Sequence, residues 1–253
     1  MKLALSLPLL ALSLPALGLC PAPAHALDGE LFLTWYDCAK DGAGLHDAVI
    51  ACITNDGSTP LYCSFILGQP LDDVLGIEVT VDTQHAGTVL PDWWQLGAGQ
   101  CRGDQLHVSG DFTQDFTCAD FWRDLGAGEA LYYPGLPYGQ GGQARIVGTY
   151  AIRSDSARTL AAGTMYYGLK VVLGNARSVF PGQCDGCSNP TCLVLNNIKL
   201  LRSPGSVPSE VTLETPGPSG ANRATWAGGS GADCSAVPVR SSSWGRLKSL
   251  YRP

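Results

Sequence analysis

Charge is scarce in this chain. Asp, Glu, Lys and Arg together make up 15% of its 253 residues, and methionine occurs only twice. No segment sustains helical periodicity, so a helical bundle is excluded. Beyond residue 26 no apolar run approaches the ~18 residues a membrane span needs. Lys and Arg number 16 against 22 acids. That balance argues against nucleic acid or an anionic membrane as partner, since both reward clustered positive charge. Catalytic signatures are missing as well: no G-x-S-x-G, H-E-x-x-H, P-loop or G-x-G-x-x-G is present. His46, His85 and His107 stand alone in separate segments. No residue is therefore assigned a catalytic role, and no cofactor is expected.

What is present starts with a leader. Met1-Lys2 precedes "LALSLPLLALSLPALGL" and then "PAPAHA", the basic start, apolar run and small-x-small end of a secretory signal peptide cleaved after Ala26. Lipoprotein processing at Cys20 is the rival, disfavoured by Leu19 where a small residue is wanted. The reading is a secreted protein, extracellular or at a cell surface, with no transmembrane segment in the mature chain.

Gly (31) and Pro (17) are frequent, as expected for short strands joined by turns. In "GIEVTVDT", Ile77, Val79 and Val81 share one face. In "TMYYGLKVVL", Met165, Tyr167, Leu169, Val171 and Leu173 share another. "LFLTWY" (31–36), "LYCSFIL" (61–67) and "ARIVGTYAI" (144–152) are similar. Period-2 stripes of this kind mark half-buried antiparallel strands, and two sheets packed face to face bury them. "CADFWRDL" (118–125) reads as one short helical turn. The expected fold is all-β: a disulfide-stapled antiparallel sandwich of seven to nine strands over residues 27–202. From Ser203 to Asp233, 15 of 31 residues are Pro, Gly or Ser, the composition of a linker. Residues 234–253 then form a flexible tail with Trp244, Leu247, Leu250 and Tyr251, four basic residues (Arg240, Arg246, Lys248, Arg252) and no acid. It reads either as an address signal or as a segment that folds back, helped by Cys234.

The segments Trp35–Cys38 (W-x-D-C), Leu90–Trp94 (LPxWW), Cys184–Cys192 (C-x-G-C-x-x-P-x-C) and Trp244–Arg252 (WGxxKSLYR) resemble a group of uncharacterised secreted bacterial proteins. The likeness spans nearly the whole mature chain and brings no activity, ligand or fold with it. "YYGLKVVLGNARSV" is more loosely similar to cohesin-type and carbohydrate-binding sandwiches, and a jelly roll is an equivalent arrangement.

The mature chain holds nine cysteines, and in an exported protein disulfides are the default. An odd count leaves one over. Cys63, mid-strand on the face of Leu61, Phe65 and Leu67, is the expected free thiol. Cys38, Cys52, Cys101, Cys118, Cys184, Cys187, Cys192 and Cys234 are expected to pair; proximity favours Cys38–Cys52 and Cys101–Cys118, with Cys234 taking one of the 184–192 cluster. For "CDGCSNPTC" two other readings compete. A redox dithiol needs a helix start, which the following β-like "LVLNNIKLL" does not supply. A zinc site needs four ligands, the fourth from Cys234, His46, His85 or His107. The structural reading is preferred, and no metal is assigned.

Candidate ligand-binding residues are aromatic: Trp93, Trp94, Trp122, Tyr133 and Tyr138, whose rings stack on sugars. Loop carboxylates (Asp37, Asp41, Asp47; Asp72, Asp73; Asp111, Asp115) are either solvated turn residues or ligands for a structural calcium ion. The function expected is a non-enzymatic structural, adhesive or glycan-binding module, its partner an extracellular polysaccharide or a cell-surface protein. The alternative is an extracellular hydrolase using loop carboxylates or zinc at the cysteine cluster.

Overall fold

The computed structural model describes residues 27–136, 139, 141–228 and Cys234. The signal peptide reading and the address reading of the tail lie outside these residues. Twelve strands follow in order: β1 (Gly29–Trp35), β2 (Asp47–Ala48), β3 (Ser58–Leu67), β4 (Leu71–His85), β5 (Leu106–Ser109) and β6 (Gly126–Pro134), then β7 (Gln143–Ile152), β8 (Arg158–Leu160), β9 (Met165–Gly174), β10 (Thr191–Arg202), β11 (Glu210–Leu213) and β12 (Arg223–Trp226). The remaining regular structure among the described residues is four short 3₁₀ turns.

The strands form two sheets. The smaller has the order β1-β3-β9-β5, and the larger β2-β12-β10-β4-β7-β6, with β11 also on β10 and β8 also on β4. All neighbours are antiparallel except β2 on β12. The architecture is the all-β sandwich the period-2 stripes predict. Ile77, Val79 and Val81 of β4 face Leu169, Val171 and Leu173 of β9 across a fully buried core, since each strand turns alternate residues inward.

Alternation fails in β9. A bulge interrupts the β3–β9 ladder between Cys63 and Ser64, so Cys63 opposes Leu169 while Ser64 opposes Tyr167. The residue passed over, Gly168, gives its carbonyl to Trp122 Nε1 (2.7 Å). Across the bulge Tyr166 packs on Phe65 and Phe121. Tyr167 instead stacks on Phe112 at 4.4 Å beneath the loop that follows β5. The segment 118–125 is a turn rather than a helical one, with Arg123 and Asp124 at φ of 53° and 52°.

The linker expected at 203–233 is overturned over its described part. Residues 203–228 belong to the sandwich: β11 buries Val211 and Leu213, and β12 buries Ala224 and Trp226. The Pro and Gly residues lie between the strands, while the few apolar ones sit where β10 offers its backbone. Averaged composition hides so short an alternation.

Cys63 is buried and unpaired, and burial pushes its thiol well above the usual range. A buried neutral thiol does not react. Iodoacetamide is expected to label none of the native protein and one site per chain after denaturation without reductant. Labelling of the native state would place Cys63 at the surface.

Candidate functional site

Three loops meet at one end of the sandwich: 36–57 between β1 and β3, 86–105 between β4 and β5, and 175–190 between β9 and β10. Cys52–Cys187 joins the first to the third, and Cys101–Cys184 joins the second to the third. Cys192–Cys234 ties the start of β10 to the chain beyond β12, and Cys38–Cys118 fastens the loop after β5. All eight expected cysteines pair, and Cys234 takes one of the cluster. The neighbour pairings Cys38–Cys52 and Cys101–Cys118 are corrected, because the sandwich brings remote loops closer than the chain does.

The stretch 184–192 thus sends its three cysteines to three different partners. None is left as a thiolate, so the zinc and redox readings lose their ligands. Within the turn Gly186 has φ +91°, and a Cβ there would run into Pro91. Glycine therefore lets this turn seat against the LPDWW segment, where Trp93 N–H donates to the Asp185 carbonyl (2.9 Å).

Beneath the loops lies a nest of tryptophans. Trp93 and Trp94 occupy the 3₁₀ turn Asp92–Trp94, both buried. Trp93 lies 4.5 Å from Trp226, and Trp226 lies 5.5 Å from both Trp94 and Trp35. Their indoles tie the loops down: Trp93 Nε1 donates to Ser178 Oγ (2.9 Å) and Trp226 Nε1 to the Cys187 carbonyl (2.6 Å). The Arg102 guanidinium covers the Trp93 ring at 3.5 Å and donates to the carbonyls of Trp93 and Gly174. Burial pulls Arg102 down to about 9, against the opposing pull of Asp104; it remains a cation at neutral pH.

The aromatic platform expected from sequence is therefore corrected. Trp93, Trp94 and Trp122 are fully buried and offer no face to a sugar. The 3₁₀ turn Asp92–Trp94 turns both rings of the Trp pair inward. Tyr133, on β6, is 40% exposed but stands apart from them, while its neighbour Tyr132 reaches inward to the Trp94 carbonyl (2.7 Å). Tyr138 lies outside the described residues.

The carboxylates are mostly engaged by the fold. Asp37 accepts from Cys38 N–H, Thr117 Oγ1 and the Tyr167 hydroxyl. Asp115 accepts from Tyr62 and from Lys170 Nζ (2.8 Å). Burial, with Asp115 beside it, raises Tyr62 and keeps it a neutral donor. Asp47 accepts from Thr225, Asp72 from Thr159 and Asp111 from Thr113. Among the described residues no three His, Cys, Asp or Glu side chains form a metal-holding group. His46 Nδ1 lies 3.0 and 2.9 Å from the Leu33 and Arg223 carbonyls, and His85 Nδ1 lies 3.0 Å from that of Pro190.

Among the side chains the stapled end presents are large apolar ones. Ile53 is 79% and Phe180 82% exposed. Their loops are clamped together, since Asn55 Nδ2 donates to the Val179 carbonyl and Val179 N–H to Asn55 Oδ1, both at 3.0 Å. Val49, on the same loop as Ile53, is also exposed. Sequence reasoning missed these residues. The available signal was two large apolar residues inside cysteine-flanked turns, "ACITND" and "SVFPGQC", rather than in strands.

Fold and staples together define a disulfide-bonded all-β sandwich, the covalent pattern of chains that fold in oxidising surroundings. Among the described residues no helix is long and apolar enough to cross a membrane. Comparison with protein-family models, curated proteins and solved structures finds no match.

Proposed function

We propose that the chain is an exported, non-enzymatic adhesive module that offers the Ile53 and Phe180 loop tips to a cell-surface protein. One observation carries this reading: two large apolar side chains stand in water on loops held by a disulfide and a two-way amide clamp. Scattered exposed hydrophobes are ordinary; a pair fixed together on stapled loops is a ready-made contact, because little ordering entropy is lost on docking. The disulfides and the leader-like start support export. The glycan reading loses its tryptophan carriers. The hydrolase reading loses its cysteine ligands, and the turn carboxylates named above mostly accept hydrogen bonds from their neighbours.

The test is binding of fluorescently labelled mature protein to intact producer cells and to their isolated envelopes. Saturable binding is expected, and an Ile53→Ser/Phe180→Ser double variant should bind at least tenfold more weakly with unchanged thermal stability. Burying each side chain contributes about 1.5–3 kcal/mol, and each 1.4 kcal/mol is tenfold. Unsaturable binding, or equal affinity of the variant, would overturn the proposal. Competition by soluble polysaccharide would restore the glycan reading, and turnover of a chromogenic glycan or peptide panel the enzymatic one.

A further inference from the structure

One ion pair on the smaller sheet is enclosed by aromatic rings. Tyr62 on β3 and Lys170 on β9 stand directly opposite each other. They point to the outer face, because Leu61, Cys63, Leu169 and Val171 beside them fill the core. The loop that follows β5 folds over this face and lays Phe112 and Asp115 on it. The Phe112 ring, stacked on Tyr167, is 6.1 Å from the Tyr62 ring. Lys170 Nζ lies 4.9 Å from the Phe112 ring centroid and 5.5 Å from that of Tyr62. It donates to Asp115 Oδ2 at 2.8 Å, while the Tyr62 hydroxyl donates to Oδ1 at 2.9 Å. The two charged side chains keep only 17% and 16% of their exposure.

The loop is anchored on both sides of Asp115. Ser109, the last residue of β5, pairs in register with Lys170 itself, so the loop leaves from beside the lysine. Beyond Asp115, Thr117 N–H donates to the Tyr167 hydroxyl (3.0 Å), Thr117 Oγ1 donates to Asp37, and Cys118 is bridged to Cys38. Asp115 N–H donates to the Phe112 carbonyl (2.9 Å). Amine and carboxylate are thus fixed in contact. Burial disfavours both as ions, and a neutral product of the same two groups relieves both at once.

We propose that Lys170 and Asp115 condense into an amide, an internal cross-link that no thiol reductant opens. The Lys170 ammonium passes one proton to Asp115 Oδ2, which leaves a neutral amine against a neutral acid. The nitrogen attacks Cγ and the C–N bond forms, while the Tyr62 hydroxyl steadies the charge gathering on Oδ1. Burial, with Asp115 beside it, keeps that hydroxyl protonated. The nitrogen then gives a second proton to Oδ2, the Cγ–Oδ2 bond breaks, and one water leaves. Nothing is oxidised or reduced, no proton is gained or lost overall, and no co-reactant enters. Free in water, an amine and an acid do not condense in this way. Groups fixed in contact react as though present at about 10⁵–10⁸ M. The link fastens the loop after β5 to β9, beside the Cys38–Cys118 bridge. It is independent of the adhesive reading, which concerns the stapled end.

The test is intact mass and peptide mapping of the full mature chain after reduction and unfolding. The wild type should weigh one water less than its sequence, and a branched peptide should carry Asp115 joined to Lys170. Lys170→Arg and Asp115→Ala should each regain the missing water and lose the branched peptide. If either variant fails to fold, the wild-type map decides alone. A wild type of full mass, with Lys170 acylated by an amine reagent in the unfolded chain, would overturn the proposal. So would a missing water that maps instead to an Asp-Gly step such as Asp56-Gly57 or Asp185-Gly186, where closure of the aspartate onto the backbone removes the same mass.

Discussion

Trp226→Ala is expected to destabilise the protein by about 3–5 kcal/mol, the usual cost of emptying a fully buried tryptophan site. The ring has no exposure and touches Trp35, Trp93 and Trp94, so its removal opens the nest on three sides. Its indole also holds the Cys187 carbonyl, and the variant leaves that buried acceptor without its donor. Urea unfolding of wild type and variant, followed by far-ultraviolet dichroism, gives the difference. Most single substitutions cost less than 3 kcal/mol, so a loss in the expected range marks β12 as part of the core. A change below about 1 kcal/mol would mean that residues 203–228 contribute as a linker does.

The same residue shows where the sequence was legible and where it was not. Strands with long alternation, such as 76–83, announced their inward faces because each apolar residue there has one place to go. Residues 223–226 show only Ala224 and Trp226 in alternation, inside a Pro/Gly/Ser-rich stretch, and their strand exists because β10 supplies the pairing. In β9 the alternation could be read, but the bulge at Gly168 could not, since it depends on how β3 lies alongside. Trp93-Trp94 was legible as an aromatic feature, yet its burial is set by Trp226, remote in sequence, and by Arg102, which the same loop folds back over the Trp93 ring. Cys63 was placed correctly because burial follows from its own strand. The pairings of Cys38 and Cys101 depend on loops that lie 80 and 83 residues apart in the chain and that only the sandwich brings together.

Cys101→Ala/Cys184→Ala should lower stability by about 4–5 kcal/mol in the chain-entropy model and also remove the binding assigned to the loop tips. The bridge spans 83 residues. Cys38–Cys118 spans 80 and is a matched control, because the entropic contribution varies only with the logarithm of loop size. The two double variants should therefore lose similar stability in urea. They differ in what else they hold: Arg177 donates to the Cys101 carbonyl, and the 175–190 loop carries Phe180 and the Asn55 clamp. Cys38–Cys118 instead fastens the loop over the smaller sheet, near the Asp37 bonds to Thr117 and Tyr167. Measured under conditions where both variants remain folded, cell binding should fall at least tenfold in the first and stay within about twofold in the second. Equal loss of binding in both would make the effect one of general stability, and the stapled loops would then have no special part in recognition.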